Sequence, residues 1–237
     1  MALDYKYITV LTGAGISAES GVSTFRDKDG LWARFDIEKY ATPEGFAADP
    51  AEVHAFYNMR RHQMLQVAPN PAHFALARLQ ACLAEAGGKL TIVTQNIDNL
   101  HEQAGAEVLH MHGELLKGRC ASCGHVFESH GDLSTEMACT ACGRLGHLRP
   151  HVVWFGEMPI GMDYISRAVA ESELFVSIGT SGSVYPAAGY VEEARSLGIP
   201  TMELNLEPSE NAWAFTRANY GPAGTIVPAW VKTICGC

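Results

Sequence analysis

Residues 6–18 read KYITVLTGAGISA. The first six are apolar and β-branched enough to form a short buried strand. Gly13, Gly15 and Ala18 then satisfy G-x-G-x-x-G/A directly after it. Small residues there let a pyrophosphate approach backbone N–H groups at a helix start. Alone, the pattern fits a tight turn equally well. No acidic residue ends a second strand about 20 positions on, so the dehydrogenase version of the motif fits poorly.

Working outward, strand-like runs recur at LTIVT (90–94), ELFVSIG (173–179), TMELNL (201–206) and GTIV (224–227). Between them lie helical patterns, notably PAHFALARLQACLAEAG, with Pro71 at its start and Gly87 at its end. Strands alternating with helices predict an α/β fold, a Rossmann-type parallel sheet with helices on both faces. Residues 36–69, helix-rich, and 118–148, rich in Cys and Gly, interrupt the alternation and read as inserts.

The 237 residues are enough for one full core carrying a smaller insert. Seventeen basic against 26 acidic residues leave a net charge of -9, which argues against general binding to nucleic acid or anionic membrane. The N-terminal apolar run, interrupted by Asp4 and Lys6, does not read as a secretory signal. No segment approaches a membrane span. We expect a cytoplasmic protein.

Four of the seven cysteines form CASCG (120–124) and CTACG (139–143), two C-x-x-C pairs separated by 15 residues. This is the spacing of a tetrahedral structural zinc site, with Cys120, Cys123, Cys139 and Cys142 as ligands. Unligated turns or a redox pair are the other readings, disfavoured in a reduced compartment. Cys82 reads as helix core, and Cys235 and Cys237 as a mobile tail. The HMH of residues 110–112 offers a metal pair, a base or strand filler, but four thiolates already complete a tetrahedral shell.

Polar residues collect at other strand ends: Gln95, Asn96 and Asp98 after LTIVT, Thr180 and Ser181 after ELFVSIG, Asn205 and Glu207 in TMELNLE. Singly, each fits turn chemistry or helix capping. Together they stand where ligands bind an open α/β sheet.

GAGIS with TFRD, TQNIDNLH, HG before the two C-x-x-C pairs, VVWFGE, GTS and NLE occur in one order. In that combination the chain resembles the sirtuin family of NAD-dependent protein deacylases over nearly its whole length, and most of all bacterial members associated with succinyl and malonyl removal. The resemblance implies a large domain of about residues 1–35, 70–117 and 149–237, and a small one from the helical insert 36–69 and zinc module 118–148, in a single catalytic unit. It implies that Gly13, Ala14, Gly15, Ala18, Glu19, Thr24, Phe25, Arg26 and Trp32 surround NAD. Gln95, Asn96, Ile97 and Asp98 would form the nicotinamide side, and Gly179, Thr180, Ser181, Asn205, Leu206, Glu207 and Ala223 the adenosine half. Val153, Trp154, Phe155 and Gly156 would line the groove for an acyl-lysine peptide or protein.

In the family chemistry, the acyl oxygen attacks the nicotinamide ribose, nicotinamide leaves, and a histidine deprotonates a ribose hydroxyl. That hydroxyl attacks the linked acyl group, and water resolves the product to lysine and O-acyl-ADP-ribose. The histidine matching the H-G motif is His112, and a neutral imidazole suits the base role. No family role carries over to His110, which we expect to act in packing.

Tyr57 and Arg60, three apart in PAEVHAFYNMRRHQML, share a helical face. By likeness they match the Tyr-x-x-Arg pair that reads the distal carboxylate of succinyl-lysine; by residue type alone they are a solvated arginine pair beside a half-buried tyrosine. Arg61 lies about 100° round the helix and should face elsewhere. Two other functions compete with deacylation: an NAD-dependent protein ADP-ribosyltransferase, and a zinc-ribbon binding module with an inactive NAD pocket.

Overall fold

A computed structural model describes residues 4–22 and 36–236. Thr24, Phe25, Arg26, Trp32 and Cys237 lie outside the described residues. In chain order the elements are β1 (Tyr7–Thr12), α1 (Ile37–Tyr40), α2 (Pro43–Ala48), α3 (Pro50–Met64), α4 (Pro71–Glu85), β2 (Lys89–Thr94), α5 (Leu100–Gln103), β3 (Leu109–His110), β4 (Gly113–Cys120), β5 (Val126–Glu128), β6 (Leu148–Val152), α6 (Met162–Ala170), β7 (Leu174–Ile178), α7 (Tyr190–Ser196), β8 (Thr201–Asn205), β9 (Arg217–Tyr220) and α8 (Ala223–Cys235).

The main sheet has the order β3-β2-β1-β7-β8-β9 and every pairing in it is parallel. This is the doubly wound order, whose switch point falls between β1 and β7. Alternation along β1 explains the layers. Ile8 and Val10 face a core shared with Leu76, Leu79 and Leu83 of α4 and Val227, Trp230 and Val231 of α8. Leu11 faces the opposite core with Ile165, Val169, Phe175 and Val191.

Three helices begin with a polar cap followed by proline. Thr42 accepts from Gly45 N, Asp49 from Glu52 N and Asn70 from Ala72 N. Proline at the first helical position costs no hydrogen bond, and each cap satisfies an orphan donor worth about 1 kcal/mol. α1 and α3 pack Tyr40, Val53, Phe56 and Tyr57 against Leu115, Val152 and Trp154, with the partly buried Phe46 of α2 beside them. A second sheet, β5-β4-β6, is antiparallel; at its far end Cys120, Cys139 and Leu148 form a very small core with Phe127 beside it.

Three expectations need correcting. GTIV at 224–227 is helix: Ile226, Val227, Trp230, Val231 and Ile234 are buried along α8, a 3.6-residue rhythm that outlasts the four-residue window. The sixth strand is instead β9, whose four residues are all exposed at the sheet edge. The turn after Gly13–Gly15 leads into two short 3₁₀ turns, Ala14–Ile16 and Ala18–Ser20, rather than an α-helix. Cys235 closes α8 and packs on the core, so it is not tail.

Candidate active site

The loops that follow β1, β2, β7 and β8 meet above the switch point. Gly13 N donates to Ile178 O and Gly15 N to Gly179 O, each at 2.9 Å. A Cβ on Gly15 would lie 2.7 Å from Gly179 Cα, and one on Gly13 2.8 Å from Gly179 O. The small residues of G-x-G thus let two backbones touch, and that contact forms the cleft floor.

A buried polar lattice supports the floor. Ser17 Oγ donates to Asp98 Oδ2 at 3.0 Å and accepts from Asn96 Nδ2 at 3.2 Å. Asn96 Nδ2 also reaches Gly13 O at 3.1 Å. His73 Nδ1 accepts from Asn70 N, which leaves Nε2–H to donate to Ser17 Oγ at 3.4 Å. Burial drives His73 down to about 4 and His101, whose Nε2 pairs with Thr12 Oγ1 at 3.1 Å, to about 3. Both rings are therefore neutral. Sequence reading passed over Ser17, His73 and His101, whose contacts come from three separate elements.

His112 Nδ1 lies 3.0 Å from Gln95 O. A carbonyl only accepts, so Nδ1 carries the proton and Nε2 is left with its lone pair. Burial lowers the pKa of His112 below the usual histidine value, against the raising effect of that hydrogen bond.

One cleft of about 760 Å³ is lined by all the candidates for NAD and substrate that lie among the described residues. On the sheet side these are Gly13, Ala14, Gly15, Ala18, Glu19, Gln95, Asn96, Ile97, Asp98, Gly179, Thr180, Ser181, Asn205, Leu206, Glu207 and Ala223. On the insert side they are Tyr57, Arg60, Val153, Trp154, Phe155 and Gly156, with His112 between. Beyond Asn96 and Asp98, further sheet-side residues are already engaged: Glu19 caps the first turn of α8 by accepting from Gly224 N, and Asn205 Nδ2 donates to Thr180 O at 2.8 Å. Tyr185, Gly221 and Pro222 also line the cleft; only the turn signal in Gly221-Pro222 could have suggested them.

The insert side differs from a solvated arginine pair. Arg61 is 0% exposed, donating from Nε to Leu115 O at 3.1 Å and from Nη1 to Asn58 Oδ1 at 2.7 Å. Trp154 is buried and donates from Nε1 to Tyr57 Oη at 2.8 Å. The guanidinium of Arg149 lies 3.5 Å from the Trp154 ring centre and grips Glu157 through two hydrogen bonds, 2.6 and 2.8 Å. That clamp fixes the turn carrying Phe155 and Gly156.

The sulfurs of Cys120 and Cys142 are 3.8 Å apart, as are those of Cys123 and Cys139, and all four lie within 4.8 Å of one another. A zinc tetrahedron with Zn–S of about 2.3 Å has edges of about 3.8 Å, so the cluster fits one structural zinc ion with no open position. Although burial pushes the Cys120 thiol up, the N–H groups of Cys123 and Ser122 bring it down to about 7. A second group, Glu102, His110 and Glu114, also lies within such a radius. There Glu114 is bridged by Lys117 at 2.8 Å and both ring nitrogens of His110 are hydrogen-bonded, so packing alone does not describe His110.

Fold and site together define an α/β protein of the dinucleotide-binding type carrying a four-cysteine zinc module. The Sir2 family profile matches residues 13–186. The chain is 57% identical over 228 residues to an NAD-dependent protein deacylase of Caulobacter vibrioides, covering 96% of each chain. A solved Sir2 homologue–NAD complex is similar with a TM-score of 0.86 and 38% identity, covering 98% of this chain and 90% of that one. A Sir2 protein bound to an acetylated peptide gives 0.81 and 26%, covering 97% and 93%. The protein belongs to the Sir2 family. Among the described residues no helix is long and apolar enough to cross a membrane.

Proposed function

We infer that the protein is an NAD-dependent lysine deacylase that removes acetyl groups and, through Tyr57 and Arg60, succinyl and malonyl groups. The observation that carries the acyl reading is that Tyr57 and Arg60 line the same cleft as His112. Burial pushes the Tyr57 phenol up, so it stays protonated. Its oxygen accepts the Trp154 indole N–H, which leaves the phenolic proton for an acceptor in the cleft. Burial lowers Arg60, opposed by Tyr57 and Asp98, yet a guanidinium remains cationic. Phenol and guanidinium together suit a distal carboxylate.

NAD, consumed as co-substrate, supplies the ribose carbon that the acyl oxygen attacks and the nicotinamide that leaves. His112 Nε2 takes the proton of a ribose hydroxyl, and its Nδ1–H bond to Gln95 O holds the ring for that transfer. The Gln95–Asp98 loop lines the nicotinamide end, and Gly179–Ser181 with Asn205–Glu207 the adenosine end. The sheet domain of about residues 1–35, 70–117 and 149–237 holds NAD, and the small domain of 36–69 and 118–148 presents the acyl-reading face. An acyl-lysine segment lies along Val153–Gly156. The ribose hydroxyl then attacks the linked acyl carbon, and one water is consumed in releasing lysine and O-acyl-ADP-ribose beside the nicotinamide already lost. Reduced zinc-binding thiols suit a cytoplasmic setting.

The test is deacylation of matched acetyl-, malonyl- and succinyl-lysine peptides with and without NAD. Arg60→Met should lower kcat/KM for the succinyl peptide by about 10- to 100-fold and leave the acetyl peptide much less affected. Equal losses on both peptides sink the carboxylate role. Mass spectrometry showing ADP-ribosylated protein instead of O-acyl-ADP-ribose would favour the transferase.

A further inference from the structure

The first histidine of the H-x-H pair has no part in the chemistry above. His110 ends β3, paired with Thr94 of β2, and is 7% exposed. Its Nδ1 lies 2.9 Å from Asn96 O and its Nε2 2.6 Å from Glu102 Oε1. A carbonyl and a carboxylate both only accept. Neutral imidazole carries one N–H and can serve one of them; imidazolium serves both. The other titratable groups facing the ring are Glu114 of β4, tied to Lys117, Asp98 of the same loop, and His101 of α5, which is neutral. Burial pulls the pKa of His110 down, but the hydrogen bond and charge of Glu102 outweigh it and leave it raised.

His112 and His110 thus hold successive carbonyls of one loop, Gln95 O and Asn96 O. They differ at Nε2, which in His110 is closed by Glu102 and in His112 makes no hydrogen bond among the described residues. We propose that His110, kept as a doubly donating imidazolium by Glu102, is a positioning residue that fixes the Gln95–Asp98 loop for NAD and, through Gln95 O, orients the ring of His112. The proposal rests on the reading that this loop lines the nicotinamide end of NAD.

Two measurements on the full, zinc-loaded chain test it. Nitrogen-15 NMR of the imidazoles, with the His110 signals assigned by their loss in His110→Asn, should show both ring nitrogens protonated at pH 7. Glu102→Gln should move that titration to lower pH. In kinetics, His110→Phe should raise KM for NAD about tenfold with a smaller change in kcat. His110→Asn, whose amide N–H can meet Asn96 O, should recover most of the loss. Glu102→Ala should bring the rise of KM with pH to lower pH.

A neutral, single-tautomer His110 in the unaltered protein overturns the proposal, as does an unchanged KM for NAD in His110→Phe and His110→Asn. Should His110→Phe fail to fold, the NMR titration and the Glu102 variants still decide. Asp98→Asn separates the two levels of the argument. If it raises KM for NAD while the His110 variants do not, the tie alone is wrong; if neither has an effect, the reading of the loop is wrong.

Discussion

His112 can act as a base at Nε2 because its other nitrogen is occupied. With Nδ1–H given to Gln95 O, the lone pair at Nε2 is fixed in place, and burial holds the pKa below the ordinary value. The active form is neutral, present above that pKa, so the acid limb of kcat/KM, which reports the free enzyme, should fall below the ordinary histidine pKa of about 6.5. A limb centred above it in a pH–rate profile would contradict this assignment. His112→Tyr should cut deacylation about a thousandfold or more, with zinc content and NAD binding retained by metal analysis and calorimetry; zinc loss in that variant would mean a structural role. His112 was legible from the H-G pair beside the cysteines. His110 was not, because its meaning depends on Glu102, a residue on another element that no local spacing singles out. Arg61 faces away from the cleft, as its place on the helix predicts, but its full burial was not legible, because the Leu115 carbonyl that accepts from its Nε lies 54 residues on.

At the scale of elements, the zinc module has little apolar core of its own, since Cys120, Cys139, Leu148 and Phe127 make up its cluster. Metal must therefore supply much of its stability. Asn58 joins α3 to the module through two hydrogen bonds with Leu133, 2.9 and 3.0 Å. Stripping zinc with a chelator should abolish hydrogen-exchange protection across 118–148 and loosen α3, with loss of deacylation, while β1, β2 and β7 stay protected. Unchanged protection in the module would show that apolar packing suffices. The C-x-x-C pairs and the capped α4 were readable because their signals are local. GTIV was not: a four-residue window does not distinguish the two periods, and β9 carries no hydrophobic signal because the sheet edge leaves it exposed.

Across the whole molecule, several histidines are buried and neutral. His73 and His101, held at about 4 and about 3, regain ordinary values on unfolding, so below about pH 6.5 the unfolded chain binds more protons. Their contribution is complete above that pH and is lost as pH falls towards their folded values. At pH 5 each costs about 2 kcal/mol. His110, with its raised pKa, works in the opposite direction. Melting between pH 7.5 and 5 should show Tm falling by roughly 10 °C; a flat profile would refute the linkage. The alternating fold and the position of the cleft at the strand ends were legible as a class. The network beneath the cleft was not, since Asn70, Ser17, Asp98 and Thr12 meet only once the sheet has closed.

The touching glycines also impose an order on events. β1 leaves the ribosome first, yet it is an interior strand whose partners β2 and β7 are made much later. Gly15 meets Gly179 only after about three quarters of the chain has been synthesised. A nascent chain therefore keeps an apolar strand unpaired on one side for most of its synthesis. The cleft cannot form until β7 docks, and a chain truncated before Gly179 lacks half of the cleft floor.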